Sequence, residues 1–550
     1  MLSLDISGAF DNVSHDRLIW VLRKKGFPSW ILRFVRNFLT GRKTKITFAG
    51  YESDWIPTDA GIPQGSHLSP ILFLFYISEL LEDLLRLDGD SLAFGFVDDT
   101  NIVAWGPSAH SNCLRLELAH DKCIAWAKRY GVAFSPEKYK LIHFTRKRRN
   151  PSGDLASTVR INAHEIHPEA KLKVLGVLVD PKLSWKAHIQ QAASKGRTAF
   201  EAMARITAST WGPSMRRSRL LYSAIARPAM LYGAQIWGLR DNGEPIAPSK
   251  LQPLKAIQNK CLRRIAGAYK RTPTAAVERE TVIPPLDLYI NAIAMQQATT
   301  TEHHQVSAEI KEKLDELWAR ERPHTTEMRR GRRLGRPRNR PDTGMEKLRA
   351  RAREKGQEVS DDLRNEAEAQ GRSWRRGGMR GHQHQWKATT LISRWLDREW
   401  KKRWMAVAQG KSATTWRTPW TQPVLRLYEG LQKHEATALF LLRTEVIGLN
   451  AWLAHIGVPD ILPRCACGAQ AQTVRHILLH CPDLVNLRAE MLEIAQTENL
   501  EEILSSRAGS QAAVHMLLRS GLLGQFQVAN EIAKESATPT SPLRDLDSWT

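Results

Sequence analysis

The stretch AFGFVDDTNIV sets two adjacent carboxylates, Asp98 and Asp99, between runs of strand-forming apolar residues. A strand, a tight turn and a returning strand let both apolar runs stay buried while the acids reach water. The segment is therefore expected to be a β-hairpin with two carboxylates at its tip. Paired acids at the tip of an apolar hairpin are unusual, because like charges side by side repel unless a cation joins them. A solvated turn is the plain alternative for the pair taken alone.

A third acid has a similar setting. Asp5 follows the apolar run LSL and precedes ISGAFD, which puts it at the C-terminal end of a short strand, with helix capping as its ordinary structural role. Three carboxylates offer the hard oxygen ligands that Mg²⁺ requires. Two such ions serve the in-line attack of a primer 3′-hydroxyl on a nucleotide, one activating the attacker and one steadying the leaving pyrophosphate. Around these acids, strand-like runs such as Leu2–Leu4, Ile46–Phe48 and Ala93–Val97 alternate with helix-like stretches such as Asp16–Lys25 and Pro70–Leu85. The pattern predicts an α+β domain over residues 1–185. In SRLLYSAIARPAMLYGAQIW and KLQPLKAIQNKCLRRIAGAY apolar residues recur every three or four positions, so residues 186–300 are expected to be helical.

Charge narrows the partner. Lys and Arg total 80 against 57 for Asp and Glu, a formal net charge of +23. That excess favours a polyanion, because each phosphate contact releases condensed counterions. Nucleic acid is the first candidate and an acidic membrane surface the alternative. No apolar run reaches the roughly 18 residues that span a bilayer; the longest, around Ile71 to Tyr76, is expected in a core. The N-terminus has no basic segment followed by an apolar one, so no secretory signal is read and an intracellular chain is expected. Six cysteines are sparse for 550 residues, and Cys113, Cys123 and Cys261 read as ordinary buried thiols.

The other three crowd together in PRCACGAQAQTVRHILLHCP. Cys465, Cys467, His476 and Cys481 make a set of three thiolates and one imidazole, suited to a closed tetrahedral Zn²⁺ site, with Gly468 permitting a tight knuckle. His480 is the rival imidazole, and a set of buried free thiols is the bland reading. A closed site leaves no open coordination position, so its expected role is structural, holding Arg464 and Arg475 toward RNA or DNA.

These stretches resemble a known family. LDISGAFDNVSH is similar to motif A of reverse transcriptases, GIPQGSHLSP to motif B and AFGFVDD to motif C, in the family's order. The wording of motif B, AWAKRYGVAFSPEKYKLIHF as motif D and KVLGVLVDPKLSWKAHI as motif E resemble the non-LTR, LINE-type class. LYGAQIW and IAGAYKRTPTAAVERETVIPPLDL continue the likeness, the terminal cysteine cluster resembles the C-terminal zinc knuckle of LINE-type elements, its His preceding the last Cys by several residues as His476 does, and KHEATALFLLRTEVIGLNAWLAHIGVPD resembles the segment before that knuckle in fungal-type elements. The resemblance implies a right-hand polymerase with an antiparallel palm sheet and a helical thumb. It implies that Asp5 and Asp98 bind catalytic Mg²⁺, that Asp99 supports them, and that Phe10 excludes ribonucleotides sterically. Gly61, Pro63, Gln64 and Gly65 would face the incoming nucleotide and templating base, Lys138 would protonate pyrophosphate, and Leu175 and Gly176 would lie in the hairpin gripping the primer. Each also has a plain role: core packing for Phe10, a ligand-free turn for the glycines, a surface position for Lys138, with Lys140 as its nearest rival.

Residues 301–385 carry MRRGRRLGRPRNRP and SWRRGGMRG, rich in Arg and Gly, and read as a basic, flexible linker with a helix around Glu346 to Glu368. Residues 386–536 are expected to form a small helical region with the knuckle at 465–481, followed by a disordered tail at 537–550. No acidic, strand-based quartet stands between 300 and 460, so an RNase H domain is expected to be absent or eroded. Met1 lies almost inside motif A, which reads as an N-terminally truncated element without endonuclease or most of the fingers, with a mispredicted start codon or a degenerate copy as the alternatives. The expected function is RNA-directed DNA synthesis, with RNA template, DNA primer or target and deoxynucleoside triphosphates as partners, no membrane, and a nuclear location after a cytoplasmic ribonucleoprotein stage. The rivals are a catalytically inactive remnant that only binds nucleic acid, and an RNA-copying polymerase or intron maturase.

Overall fold

A computed structural model describes residues 1–85, 90–145, 154–239, 245–301, 380–528 and 531. The chain divides into two compact units, Met1–His188 and Ile189–Thr550. Helix and sheet are mixed in the first unit, while the described part of the second is helical. The basic segment expected over 301–385 lies almost wholly outside the described residues, as does the 537–550 tail.

The first unit is built on a four-stranded antiparallel sheet in the order Lys140–Leu141, Leu2–Leu4, Asp99–Ala104, Ser91–Phe96. Strand alternation explains the burial of Leu2 and Leu4, whose side chains share one face, while Ser3 between them points the other way. Helices Ser69–Leu85 and Ala109–Tyr130 pack against the sheet. The second is bounded as its sequence dictates. Ser108 Oγ accepts from the Ser111 N–H at 3.1 Å, and Gly131 closes the helix at φ 70°. Between these caps Cys113, Leu116, Ala119, Cys123, Trp126 and Tyr130 recur at helical spacing and are buried.

Tyr76 ties helix Ser69–Leu85 to this core, donating to the Tyr130 carbonyl at 2.5 Å and packing edge-on against Trp126 at 6.1 Å. The apolar run around Ile71 is only half interior. Leu72, Phe73 and Tyr76 are buried, but Ile71 and Leu74 fall on the opposite side of the helix and are 51% and 47% exposed. Helical period, not run length, decided that.

In the second unit helices Leu286–Thr301 and Arg380–Ala408 pack together, as do Lys433–Thr444 and Arg507–Arg519. A buried ion pair links segments far apart in sequence. Arg443 holds Glu280 bidentately, Nε to Oε2 at 2.9 Å and Nη2 to Oε1 at 3.0 Å, and both side chains are fully enclosed. Tyr428 donates to Glu280 at 2.5 Å, Thr415 adds a second hydroxyl, and Arg443 also reaches the Thr418 hydroxyl and the Leu504 carbonyl. Such a pair persists only because nearly every remaining donor and acceptor is matched.

Candidate active site and cysteine–histidine cluster

Strand register assembles the acids. Leu4 lies opposite Thr100, and Phe96 opposite Asp99 across a two-residue turn of Val97 and Asp98. Asp5, one residue past Leu4, therefore adjoins the turn at the same end of the sheet. Asp98 stands in the turn itself, and Asp99 is the first residue of the returning strand. Val97 sits at φ 59°, a left-handed conformation that a β-branched residue rarely adopts, so the turn carries strain. Asp99 is raised above the usual aspartate range by partial burial first, then by Asp98 and Asp5.

Lys138 ends a short 3₁₀ turn, Pro136–Lys138, with Nζ 3.2 Å from Asp5 Oδ2. Lys140, its rival by sequence, faces Glu169 at 3.8 Å instead. Phe10 stacks on Phe73, ring centres 5.3 Å apart and planes at 12°, which fixes its orientation beside the acids' segment.

The loop carrying Gly61, Pro63, Gln64 and Gly65 docks on the backbone that follows Asp5. The Gly61 N–H donates to the Val13 carbonyl at 2.9 Å and the Ile62 N–H to the Phe10 carbonyl at 2.8 Å. Gly61 is at φ 83°, and a Cβ there would come within 2.7 Å of the Asp11 carbonyl oxygen, so glycine is required on two counts. Gly65, at φ 88°, has nothing within 4 Å and borders open space. Gln64 donates to Asp11 Oδ1 at 3.1 Å, and His15 Nε2 lies 2.7 Å from the Gly61 carbonyl. Sequence reasoning missed Asp11 and His15, whose partners stand 53 and 46 residues away. Leu175 and Gly176, at φ 45° and 84°, form the turn between strands Leu172–Val174 and Val177–Val179.

In the second unit the ligating atoms of Cys465, Cys467, His476 and Cys481 all lie within 4.8 Å of one another. Among the described residues this is the one group of three or more such side chains drawn together tightly enough to hold an ion as it stands. Cys465 and Cys481 sulfurs are 3.9 Å apart, and Cys467 Sγ is 3.3 Å from His476 Nε2. Sulfurs bound at about 2.3 Å to a tetrahedral zinc stand about 3.8 Å apart, so the set is compatible with Zn²⁺. Gly468, at φ 91°, turns the knuckle, its N–H donating to the Cys465 carbonyl at 3.0 Å. A single π-helical turn, His476–His480, carries the imidazole, and His480 is not in the group. Arg464 and Arg475 flank the cluster and are exposed.

Residues 1–179 match the reverse transcriptase (RNA-dependent DNA polymerase) family, so the sheet and its acids belong to a reverse transcriptase domain. Its similarity runs to the enzymes of non-LTR retrotransposons. The RNA-directed DNA polymerase of the mobile element jockey from Drosophila melanogaster is 29% identical over 296 residues, covering 53% of this chain and 31% of that protein. The corresponding protein of the Drosophila melanogaster transposon X-element is 29% identical over 266 residues, covering 48% of this chain and 28% of that one. The chain thus spans about a third of the length of these relatives. Among solved structures, a telomerase from Candida albicans aligns with 56% of this chain and 50% of its own at 13% identity, with a TM-score of 0.24, too low to define a common architecture. No helix among the described residues is long and apolar enough to cross a membrane.

Proposed function

We propose that the chain is the RNA-directed DNA polymerase of a non-LTR retrotransposon, extending a DNA primer on an RNA template with deoxynucleoside triphosphates. The four-stranded sheet is then the palm and the helices after residue 188 the thumb. The observation that carries the reading is the meeting of Asp5 with the Asp98–Asp99 turn at one end of the sheet, where Asp99 is raised by partial burial first and then by its two acidic neighbours. Mutual repulsion of this kind is what divalent cations relieve. Asp5 and Asp98 would hold two Mg²⁺ ions with Asp99 in support; when bound, the ions activate the primer 3′-hydroxyl and neutralise the pyrophosphate.

The remaining groups act on the substrates. Lys138 supplies the proton to the leaving pyrophosphate, a role supported by its ammonium standing 3.2 Å from Asp5. Phe10, held by its stack on Phe73, excludes a ribose 2′-hydroxyl. The backbone of Gly61, Pro63, Gln64 and Gly65 meets the nucleotide and templating base, and the Leu175–Gly176 turn grips the primer strand. The cysteine–histidine set would bind a structural Zn²⁺ that stiffens the segment bearing Arg464 and Arg475 for nucleic-acid contact. Work of this kind suits a nuclear protein with a cytoplasmic ribonucleoprotein stage.

The test is Mg²⁺-dependent extension of a DNA primer on an RNA template by the full chain. Charge stabilisation worth several kcal/mol rests on the acids, so Asp98→Asn should lower extension by about 100-fold or more while nucleic-acid affinity changes by about twofold or less. Absence of extension by the unsubstituted chain, with binding retained, would favour the inactive remnant. Equal loss of extension and binding in the variant would overturn the assignment of Asp98.

A further inference from the structure

The turn between helices Lys186–Ile206 and Met215–Leu221 holds a tryptophan in water. Trp211 is 56% exposed, although its backbone is firmly held. The Ala208 N–H donates to the Trp211 carbonyl at 2.9 Å, and Gly212 turns at φ 103° where a Cβ would come within 2.6 Å of the Ile206 carbonyl oxygen. The indole is exposed by a defined turn.

It borders a groove of about 790 Å³ whose lining comes from two segments, residues 210–217 with Arg216 and Arg217, and residues 428–434 with Glu429 and Gln432. Both arginines are exposed, and neither forms an ion pair among the described residues. Nearby cations are used differently. Arg219 donates to the Thr281 and Val282 carbonyls at 2.9 and 3.0 Å, and Lys433 is buried with its ammonium on the Arg264 and Ile265 carbonyls. Free positive charge at the groove is thus concentrated on Arg216 and Arg217, beside a flat aromatic face.

We propose that this groove binds single-stranded RNA, one base stacking on Trp211 while adjoining phosphates meet Arg216 and Arg217. Stacking on an exposed indole needs a base whose face is open, which a duplex does not offer. Glu429 selects the sugar. A carboxylate in a cationic groove repels phosphate but accepts a hydrogen bond from a ribose 2′-hydroxyl, a donor that DNA lacks. The site belongs to the second unit and does not depend on the polymerase reading.

The experiment measures binding of the full chain to a labelled single-stranded RNA of about 12 nucleotides across a salt series, without Mg²⁺ or nucleotides. A failed polymerase and a failed groove are thereby told apart. Trp211→Ala should weaken binding about tenfold, the usual cost of one lost stacking contact, and Trp211→Phe should restore most of it. Arg216→Ala/Arg217→Ala should make the slope of log affinity against log salt shallower by about 1.4, the share of two phosphate contacts on a single strand. The proposal is overturned if Trp211→Ala binds as the unsubstituted chain does. It is likewise overturned if DNA of the same sequence binds as tightly, or if removing the exposed Lys401 and Lys402 causes the same loss as removing the two arginines.

Discussion

Replacing Gly61 by alanine separates backbone strain from crowding, because Gly65 supplies an internal comparison in the same loop. Both residues occupy the left-handed region, φ 83° and 88°, where a side chain costs about 1 kcal/mol. At Gly65 that is the whole cost, since nothing lies within 4 Å of the added Cβ. At Gly61 the methyl group meets the Asp11 carbonyl oxygen at 2.7 Å, the Asp11 Cα at 3.0 Å and the Phe10 carbonyl oxygen at 3.0 Å. All three are backbone atoms, fixed by the hydrogen bonds that join the two segments, and cannot swing aside as a side chain would. Overpacking of this kind adds about 1–3 kcal/mol. The docked loop should therefore be destabilised by about 3 kcal/mol in Gly61→Ala and about 1 kcal/mol in Gly65→Ala.

Hydrogen exchange reads this directly at the Ile62 amide, which donates to the Phe10 carbonyl. At 1.4 kcal/mol per tenfold, its protection should fall by about 100-fold in Gly61→Ala and about fivefold in Gly65→Ala, provided global stability exceeds the local opening energy. Equal losses in the two variants would refute the reasoning, for they would mean that the loop yields without its contact to Asp11 and Phe10.

The second unit offers two further tests. Burial first, then Asp287, pushes Glu278 up to about 8 against the opposing pull of Lys255 and Arg403. From its ordinary 4.5 up to about 8, the folded chain keeps a proton that the unfolded chain releases, so this residue makes stability fall as pH rises through that window. In urea unfolding at pH 5 and pH 8.5, Glu278→Gln should flatten the decline, and an unchanged pH dependence would count against the buried neutral acid. For the cysteine–histidine set, elemental analysis should find a single zinc per chain, and chelation should lower the thermal stability of the surrounding helices. Cys467→Ser should lose most of that zinc and its response to chelator; full retention of metal by the serine variant would exclude Cys467 as a ligand.

Local pattern made much of this protein legible. Adjacent acids between apolar runs spelled a hairpin, because alternation and turn are properties of a few consecutive residues, and the structure has a turn of Val97 and Asp98 there. Crowding of three cysteines marked the cluster, since a knuckle closes over a short span, but spacing left His476 and His480 open and the family resemblance pointed to His476, the one that meets the thiols within 4.8 Å. Helical period in Ala109–Tyr130, with Ser108 before it and Gly131 after, was equally open to reading.

What tertiary structure alone decided were pairings between residues without any shared local signal. His15 on the Gly61 carbonyl, Gln64 on Asp11 and Lys138 rather than Lys140 on Asp5 depend on which segments the fold brings together. Arg443 and Glu280, 163 residues apart, look in sequence like two solvated charges, yet both are fully buried and paired with each other. The sequence by itself determined which residues prefer strand, helix, turn or metal, because those preferences arise from backbone geometry and side-chain chemistry within a few positions. The partners of the buried charges and the glycine-lined loop were decided by packing, because desolvation makes a charge or a close backbone contact tolerable only where the whole fold supplies its complement.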